Sequence, residues 1–238
     1  MDQIYKIKEE INKINVDISS EQASQLLTYY NMLIEKNKVM NLTGITEFDD
    51  VLRKHFVDSL SITKAHDFSG NCKILDLGTG AGFPGIPLKI VFPHLKIVLM
   101  DSLNKRLNFL NEVIQELGLK DIETVHGRAE ELGNNLVYRE KFDICVSRAV
   151  AKLSSLSEYC IPFVKVGGAF IAYKADEITS ELESADHAIL ILGGKYKEKY
   201  SLILPGSDIQ RNLVVIDKIK NTPKKYPRQA GKPNKEPL

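Results

Sequence analysis

The chain has 238 residues, 43% of them hydrophobic, and a net charge of +1. This length and composition allow one main domain with a sizeable core, together with an extension. No apolar run reaches the roughly 18 residues that a membrane span needs, and the N-terminus has no signal-peptide core. We therefore expect a soluble, cytoplasmic protein that makes no contact with a membrane.

The cysteines and histidines give no sign of a metal site. Cys72, Cys145 and Cys160 lie far apart in apolar surroundings, which predicts buried thiols rather than disulfides or metal ligands. The five histidines are equally scattered. We expect no bound metal.

The first 70 residues predict a helical extension. Isoleucines recur at helical spacing over residues 2–15, and Ser19 with Gln22 forms a capping-box pattern at the start of a longer helix. A third helix is expected over residues 51–65. His55 and Asp58 lie three residues apart on it and would be neighbours, which we interpret as a surface ion pair.

From residue 71 onward, strands and helices alternate along the chain. Strands are predicted at 73–77, 96–100, 122–126, 142–146 and 169–173, and helices after the first strand and at 103–117, 128–133, 153–163 and 177–192. Two further strand-like runs, 196–204 and 212–219, have no helix between them and should pair antiparallel. The pattern predicts an α/β fold over residues 71–220, Rossmann-like and doubly wound, with a mostly parallel sheet and an antiparallel C-terminal strand.

The last segment, residues 221–238, is unusually basic. It carries five basic residues and one acidic residue, a local charge of +4, which leaves −3 for the rest of the chain. Any contact with a polyanion is therefore expected to be local. Four of the nine prolines also fall here, so we expect a basic, proline-rich tail that is extended or mobile.

A cluster of glycines follows the first predicted strand, in the run Asp76-Leu-Gly-Thr-Gly-Ala-Gly82. Gly78 and Gly80 allow a backbone to approach a ligand without Cβ atoms in the way, and the helix start beyond them favours an anionic group. Phe83 stands where the dinucleotide-binding fingerprint has its third glycine, and no Gly-Lys-Ser/Thr follows. Neither a pyrophosphate site nor a nucleoside-triphosphate loop is therefore indicated.

Asp101 ends the second predicted strand, about 20 residues beyond the glycines, where a carboxylate can accept hydrogen bonds from ribose hydroxyls. A glycine turn by itself is also typical of an ordinary tight strand-to-helix connection. Asp76 before the turn and Asp101 after it favour a ligand site. The expected ligand is a nucleoside whose other end carries a small anion, and S-adenosylmethionine fits that description.

Polar groups follow each of the five parallel strands. In a doubly wound sheet, ligands bind beyond the C-terminal ends of the strands, so these groups should converge on one crevice. The groups are Asp76 to Gly82, Asp101-Ser102, Gly127 to Glu130, Ser147-Arg148 and Lys174.

Nearly the whole chain resembles the class I methyltransferases that use S-adenosylmethionine. More narrowly, it resembles the glucose-inhibited division protein B family, the bacterial 16S ribosomal RNA guanine-N7 methyltransferases. The motifs that carry the resemblance are Asn41-Leu-Thr43, His55-Phe-Val-Asp-Ser-Leu60, Asp76 to Pro87 with its Gly-Phe-Pro-Gly element, Asp101-Ser102 with Lys105-Arg106, Arg128-Ala-Glu130, Ser147-Arg-Ala-Val-Ala151, Lys174 and Lys225-Tyr-Pro-Arg228.

The resemblance implies a pocket for S-adenosylmethionine. Phe83 would pack on the adenine or cap the turn, and Arg148 could hold a carboxylate or a phosphate bidentately. An ion pair between Arg148 and Glu130 is the alternative. The expected cofactor residues are Asp76, Gly78, Gly80, Phe83, Asp101, Ser102, Ala129, Glu130 and Arg148.

The resemblance further implies methylation of a guanine N7 in 16S ribosomal RNA. The fourth strand lacks both the Asn/Asp-Pro-Pro-Tyr element typical of exocyclic amino methylation and the Pro-Cys nucleophile of pyrimidine carbon-5 methylation. We expect no catalytic general base, with Arg148 and Lys174 positioning the substrate. The protein would be a monomer, and its partner would be the small ribosomal subunit. The expected RNA contacts are Arg53, His55, Lys174, Lys224, Lys225 and Arg228.

Two other functions stay open from the sequence. A small-molecule methyltransferase would make the basic tail incidental, so removal of the tail would leave turnover unchanged. A non-catalytic, ribosome-associated module that binds S-adenosylmethionine would bind the cofactor without transferring its methyl group to RNA.

Overall fold

The computed structural model describes residues 2–148, 151–175 and 178–238. Ala149 and Val150, from the Ser-Arg-Ala-Val-Ala motif, and Glu177, the predicted start of a helix, lie outside these ranges. In the described part of the chain, the helices are too short or too polar to span a bilayer.

A seven-stranded sheet forms the centre of the fold, as predicted. Its strands are β1 Lys73–Leu77, β2 Lys96–Asp101, β3 Ile122–His126, β4 Phe142–Ser147, β5 Val164–Ala175, β6 Gly194–Ile203 and β7 Gln210–Lys218. Their order in the sheet is β3-β2-β1-β4-β5-β7-β6. Strands β1 to β5 are parallel, and β7 runs antiparallel to both β5 and β6. The predicted antiparallel pairing is thus confirmed.

Helices cover the sheet on both faces, and their bounds mostly match the predicted ones. They are α1 Gln3–Asn12, α2 Ser20–Asn37, α3 Phe48–Val51, α4 Asp58–Leu60, α5 Gly85–Val91, α6 Asn104–Glu116, α7 Ala129–Leu132, α8 Leu153–Cys160, α9 Thr179–Ile191 and α10 Lys232–Lys235. A π-helical turn, Leu52–Val57, joins α3 to α4, and 3-10 turns, Ser61–Lys64 and Ile161–Phe163, follow α4 and α8. The capping box of Ser19 and Gln22 is confirmed at the start of α2.

The apolar side chains of the strands divide between two clusters, one on each face of the sheet. In β1, Ile74 belongs to one cluster and Leu75 to the other, as the two-residue period of a strand buried on both faces requires. The N-terminal helices contribute Ile11 and Leu26 to the Ile74 cluster. The helical extension therefore shares its core with the sheet.

The prediction of an extended or mobile tail is wrong. Tyr226 is buried, and Pro233 is buried with its carbonyl accepting a 2.8 Å hydrogen bond from the Ser155 hydroxyl. The Arg139 guanidinium donates to the carbonyls of Thr222, at 2.7 Å, and Tyr226, at 2.8 Å. Composition indicated a solvated chain, but Pro227 and Pro233 are buried against the protein, and side chains distant in sequence donate hydrogen bonds to backbone carbonyls of the tail.

A buried ion pair anchors the tail to α8. Glu158 has no exposed surface, and its carboxylate accepts bonds from Arg228 Nη2 at 2.6 Å, Nε at 2.9 Å and the Arg228 backbone N–H at 2.8 Å. Burial of a carboxylate is costly unless a cation and further hydrogen bonds compensate it. The pair therefore makes the position of the tail part of the folded structure.

Removal of the Arg228 cation should destabilise the fold. In Arg228→Met, Glu158 stays buried without its partner, so we expect the free energy of unfolding to fall by about 3–5 kcal/mol. The double variant Arg228→Met with Glu158→Leu should recover much of that loss because no buried charge is left. Urea denaturation measures both, with Lys235→Met as the exposed control. A loss for Arg228→Met no larger than that of the control would contradict the role of the pair.

Candidate active site

A cleft of about 660 Å³ opens at the C-terminal ends of β1 to β4. Its volume lies within the range of about 300–1,000 Å³ that small-molecule sites occupy. Most of the predicted cofactor residues line it: Gly78, Gly80, Phe83, Asp101, Ser102, Ala129, Glu130 and Arg148. The strand-end convergence expected from the sequence is therefore observed for β1 to β4, whereas Lys174 in β5 is not among the lining residues.

The turn after β1 leaves room for a ligand at Gly80. The backbone N–H groups of Gly78 and Thr79 donate to the Met100 carbonyl at 2.9 and 3.1 Å, which ties the turn to the end of β2. Gly80 has a φ of +61°, and a Cβ added there would meet only the Gly78 carbonyl oxygen, at 4.0 Å. The turn is thus a fixed cradle with an open face.

Asp101 is held in place at the opposite side of this turn. Its carboxylate accepts hydrogen bonds from the backbone N–H groups of Gly80 and Leu103, each at 2.9 Å, and lies 3.4 Å from Arg106 Nη1. A carboxylate offers about four lone-pair sites, so two backbone donors leave acceptor capacity for ribose hydroxyls. This arrangement fits the nucleoside half of S-adenosylmethionine.

Asp76 supports the turn from beneath and does not line the cleft. It is completely buried, and its Oδ2 accepts bonds from Thr79 Oγ1 at 2.6 Å and from the Gly85 N–H at 2.8 Å. Burial raises the pKa of this carboxyl to about 6, against the lowering effect of those two hydrogen bonds. A direct contact between Asp76 and the ligand was expected. Instead, Asp76 lies outside the cleft and holds the glycine turn in shape.

Phe83 connects the cleft to the N-terminal helices. The His55 ring stacks on it, with ring centroids 4.4 Å apart and planes 17° apart, and the Arg148 guanidinium carbon lies 5.6 Å from the Phe83 centroid. His55 Nε2 is 2.8 Å from Thr43 Oγ1. Burial, together with the nearby Arg148 charge, lowers the pKa of His55 to about 3. His55 is therefore neutral near pH 7 and offers no charge for the expected phosphate contact.

The structure also corrects the expected pairing of Asp58. A surface ion pair with His55 was predicted, but Asp58 is completely buried and pairs with arginines from two strand ends. Arg211 Nε lies 2.6 Å from Asp58 Oδ1, and Arg148 Nη2 lies 3.3 Å from Oδ2. The helix bearing Asp58 faces the sheet there, which the local spacing of residues could not show.

Arg148 itself is turned toward the N-terminal helices. Its Nη1 donates to Ser59 Oγ at 3.0 Å, and its Nη2 donates to the Lys54 carbonyl at 3.1 Å. The alternative expectation, an ion pair with Glu130, is therefore wrong. Backbone carbonyls of the π-helical turn bind the guanidinium, and turns of this kind are frequent at functional sites.

Most of the expected RNA contacts are engaged within the protein. Lys174 donates to the Ala151 carbonyl at 2.8 Å and pairs with Glu181 at 2.7 Å, while Arg228 is bound to Glu158 as described above. Arg53 is half-buried, 3.9 Å from Glu10. Of the six candidates, Lys224 and Lys225 are the two whose side chains are exposed.

The cleft also includes residues that were not among the expected cofactor residues. Arg128 is exposed at its edge, after Gly127, and it belongs to the group Gly127 to Glu130 that was expected at the crevice. Tyr159 reaches the cleft from near the C-terminal end of α8, and no local pattern marks it. The further lining residues are Leu42, Leu77, Thr79, Met100, Arg106 and Gly127.

The arrangement is suited to binding and alignment rather than to proton removal. Among the described residues that line the cleft there is no histidine or cysteine, and its two carboxylates, Asp101 and Glu130, accept bonds from backbone N–H groups. The neutral His55 lies behind Phe83. The cleft therefore offers fixed dipoles and a shaped surface.

Comparisons with known proteins agree with this geometry. A family model described as rRNA small subunit methyltransferase G, GidB, matches residues 22–214. The chain is 55% identical to the ribosomal RNA small subunit methyltransferase G of Lachnoclostridium phytofermentans, over 96% of this chain and 94% of that protein. It is 52% identical to the protein of the same name in Alkaliphilus metalliredigens, over 98% and 97%.

The fold itself is shared with more distant proteins. The structure of M. jannaschii TYW2 in complex with AdoMet superposes with a TM-score of 0.52 at 15% identity. The match covers 68% of this chain and 77% of that one. At this identity, the likeness supports the architecture alone.

The buried Asp76 carboxyl should give stability a distinct pH dependence. Its folded-state pKa of about 6 lies above the ordinary value of 3.8, so the folded state binds the extra proton between these values. Stability from this group is present below about pH 4 and is lost as pH rises through about 6, by about 3 kcal/mol. Asp76→Asn cannot titrate, so its unfolding free energy minus that of the native chain should rise over this window.

Denaturant unfolding at intervals from pH 4 to 8 measures that difference. Asp186→Asn, which removes an exposed carboxylate on α9, is the matched control and should show no such change. A difference between Asp76→Asn and the native chain that stays constant across the range would contradict the assignment.

Proposed function

The chain belongs to the rRNA small subunit methyltransferase G family and is an S-adenosylmethionine-dependent methyltransferase that acts on RNA, and we propose that its target is N7 of a guanine in 16S ribosomal RNA. The observation that carries the proposal is the cleft at the strand ends, where the Gly80 cradle faces the carboxylate of Asp101. The proposed partner is the small ribosomal subunit, to which the protein would bind as a monomer in the cytoplasm.

Three groups of residues are suited to hold the cofactor in this cleft. Asp101 would accept hydrogen bonds from the ribose hydroxyls, and the open face of Gly80 would let the chain backbone approach the ligand. The backbone of Ala129 and Glu130, at the start of α7, would meet the adenine edge. When bound, S-adenosylmethionine supplies an electrophilic methyl group on a sulfonium centre.

Guanine N7 requires no general base, because it carries a lone pair and no proton. Alignment of two reactants in attack geometry can be worth about 7–11 kcal/mol. General-base catalysis contributes roughly 10²–10⁴-fold, about 3–5 kcal/mol, and only where a proton leaves. The absence of a free base among the described cleft residues therefore matches a ring-nitrogen acceptor.

The charge around the cleft also suits a product that becomes cationic. The Arg148 guanidinium is bound by backbone carbonyls and by Asp58, so its charge is offset by groups on the side away from the cleft. Arg148 and Lys174 would act in this proposal by fixing the walls against which the guanine nucleotide lies. Neither cation needs to face the methylated ring.

We propose that RNA phosphates contact Arg128, Lys224 and Lys225. All three side chains are exposed. The tail that carries the two lysines packs on α7, whose first residue follows Arg128: a Cβ on Gly133 would lie only 2.9 Å from Pro227 Cγ. Replacement of one of these cations by alanine should reduce the salt slope of RNA affinity by about 0.7–0.9. We leave the other four expected contacts out of this interface, because each is either paired within the protein or uncharged: Arg53, His55, Lys174 and Arg228.

Closure of the Gly80 cradle should abolish cofactor binding. In Gly80→Val, a branched side chain would project into the open face of the turn, so we expect calorimetry to detect no S-adenosylmethionine binding. Gly118→Val is the matched control, since Gly118 has nearly the same φ, +62°, and no atom near its Cβ, and it is exposed beyond α6. Equal affinity in the two variants would remove the cofactor from this cleft.

The position of the methyl group can be read chemically. An N7-methylated guanosine has a cationic ring and a weakened glycosidic bond, so borohydride reduction followed by aniline should cut the treated 16S ribosomal RNA at one site. The reaction is run on naked RNA, precursor particles and finished subunits, with Gly80→Val as the inactive control.

Methylated RNA that resists this cleavage would place the methyl group on another atom and overturn the proposal. Cofactor binding without transfer to any of the three substrates would instead favour a non-catalytic module. A turnover on small molecules that is unchanged by removal of the tail would favour the small-molecule alternative.

A further inference from the structure

The C-terminal segment, residues 222–238, touches one wall of the cleft from outside. The backbone N–H of Gly231 donates a 2.8 Å hydrogen bond to Glu130 Oε1. Glu130 is buried and lines the cleft. Asn134 Nδ2 bridges the same two segments, at 3.0 Å from the Glu130 carbonyl and 3.2 Å from the Pro227 carbonyl. The side chain and the backbone of Glu130 are thus both linked to the tail.

The same segment holds the neighbouring wall, which α8 forms. Arg228 binds Glu158, and the next residue, Tyr159, lines the cleft. One helical turn earlier, the Ser155 hydroxyl donates to the Pro233 carbonyl. Two turns of α8 are therefore fastened to the tail.

Arg139 completes the connection between α7 and the tail. Its Nη1 donates to the carbonyls of Gly133 and Tyr226, both at 2.8 Å, and its Nη2 donates to the Thr222 carbonyl at 2.7 Å. One planar guanidinium thus fixes the end of α7 relative to two points of the tail.

This wall needs outside support because α7 is too short to be stable by itself. It has four residues and no side-chain cap at its start. A single helical turn fixes several backbone angles for one hydrogen bond, so isolated turns do not persist in water. The position of Ala129 and Glu130 consequently depends on tertiary contacts, and the tail supplies several of them.

We propose that residues 222–238 act as a clamp that positions α7 and Tyr159 around the cofactor, with Glu130 as a positioning residue through its bond to Gly231. The inference rests on the proposed function, since it requires that this cleft binds S-adenosylmethionine. It gives the tail a role in cofactor affinity in addition to the phosphate contacts of its lysines.

Two glycines provide a matched test. Gly231 and Gly167 have φ values of +82° and +87°, and a Cβ added to either has no neighbouring atom within 4 Å. Alanine therefore introduces similar backbone strain at both positions. Of the two, only Gly231 carries an N–H that binds Glu130, so we expect strain at Gly231 to weaken that bond. We expect calorimetry to show S-adenosylmethionine affinity reduced about three- to tenfold in Gly231→Ala and unchanged in Gly167→Ala.

Kinetics separate positioning from a general loss of structure. In Gly231→Ala, KM for S-adenosylmethionine should rise by the same factor, while kcat at saturating cofactor stays close to that of Gly167→Ala. Glu130→Gln keeps an acceptor oxygen for the Gly231 N–H and should bind cofactor nearly as tightly as the native chain, whereas Glu130→Ala should resemble Gly231→Ala.

The outcomes distinguish this inference from the proposed function. Cofactor affinities of Gly231→Ala and Glu130→Ala that equal that of Gly167→Ala would overturn the clamp and leave the function intact. A Glu130→Gln variant as weak as Glu130→Ala would also overturn it, because the charge and not the bond to Gly231 would then matter. Failure of the native chain itself to bind S-adenosylmethionine would instead refute the proposed function.

Discussion

The arrangement of the cleft depends on one buried carboxylate. Asp58 has no exposed surface and lies between Arg148, which follows β4, and Arg211 in β7. An ionised group without water must keep its partners, since loss of one leaves an uncompensated charge. This requirement fixes the N-terminal helices on the strand ends. His55 is thereby held against Phe83, which forms the edge of the cleft.

Two other buried carboxylates, Asp76 and Glu158, also hold parts of the site in place. Asp76 organises the glycine turn through two short hydrogen bonds, and Glu158 holds the tail through Arg228. These acids bind the hydrogen-bond donors around them. Several charged residues that were expected to contact a ligand therefore stabilise the fold instead. The groups left facing the cleft are few, fixed and unsuited to moving a proton, as a reaction that depends on alignment requires.

The architecture could be predicted almost entirely from the sequence. Strands buried on both faces need continuous apolar runs, helices need a period near 3.6 residues, and glycines mark the turn where a ligand can approach. These are local requirements, so the order of strands and helices was visible before any contact was known. The convergence of Asp101, Glu130 and Arg148 on one crevice followed as well, since the C-terminal ends of parallel strands meet at one edge of a sheet.

The partners of the charged residues were decided only by the tertiary structure. The sequence determined that Arg148 follows β4 and that the tail is basic. In the structure, however, Arg148 pairs with Asp58 from a helix far earlier in the chain, and Arg228 pairs with Glu158, which lies 70 positions away. Such pairs form because a buried charge binds an opposite charge on whichever element packs against it. The local sequence pattern does not show which element that is. For the same reason, the packed C-terminal segment was predicted to be a mobile tail. Composition shows how many charged residues and prolines the segment has, but not which residues they contact.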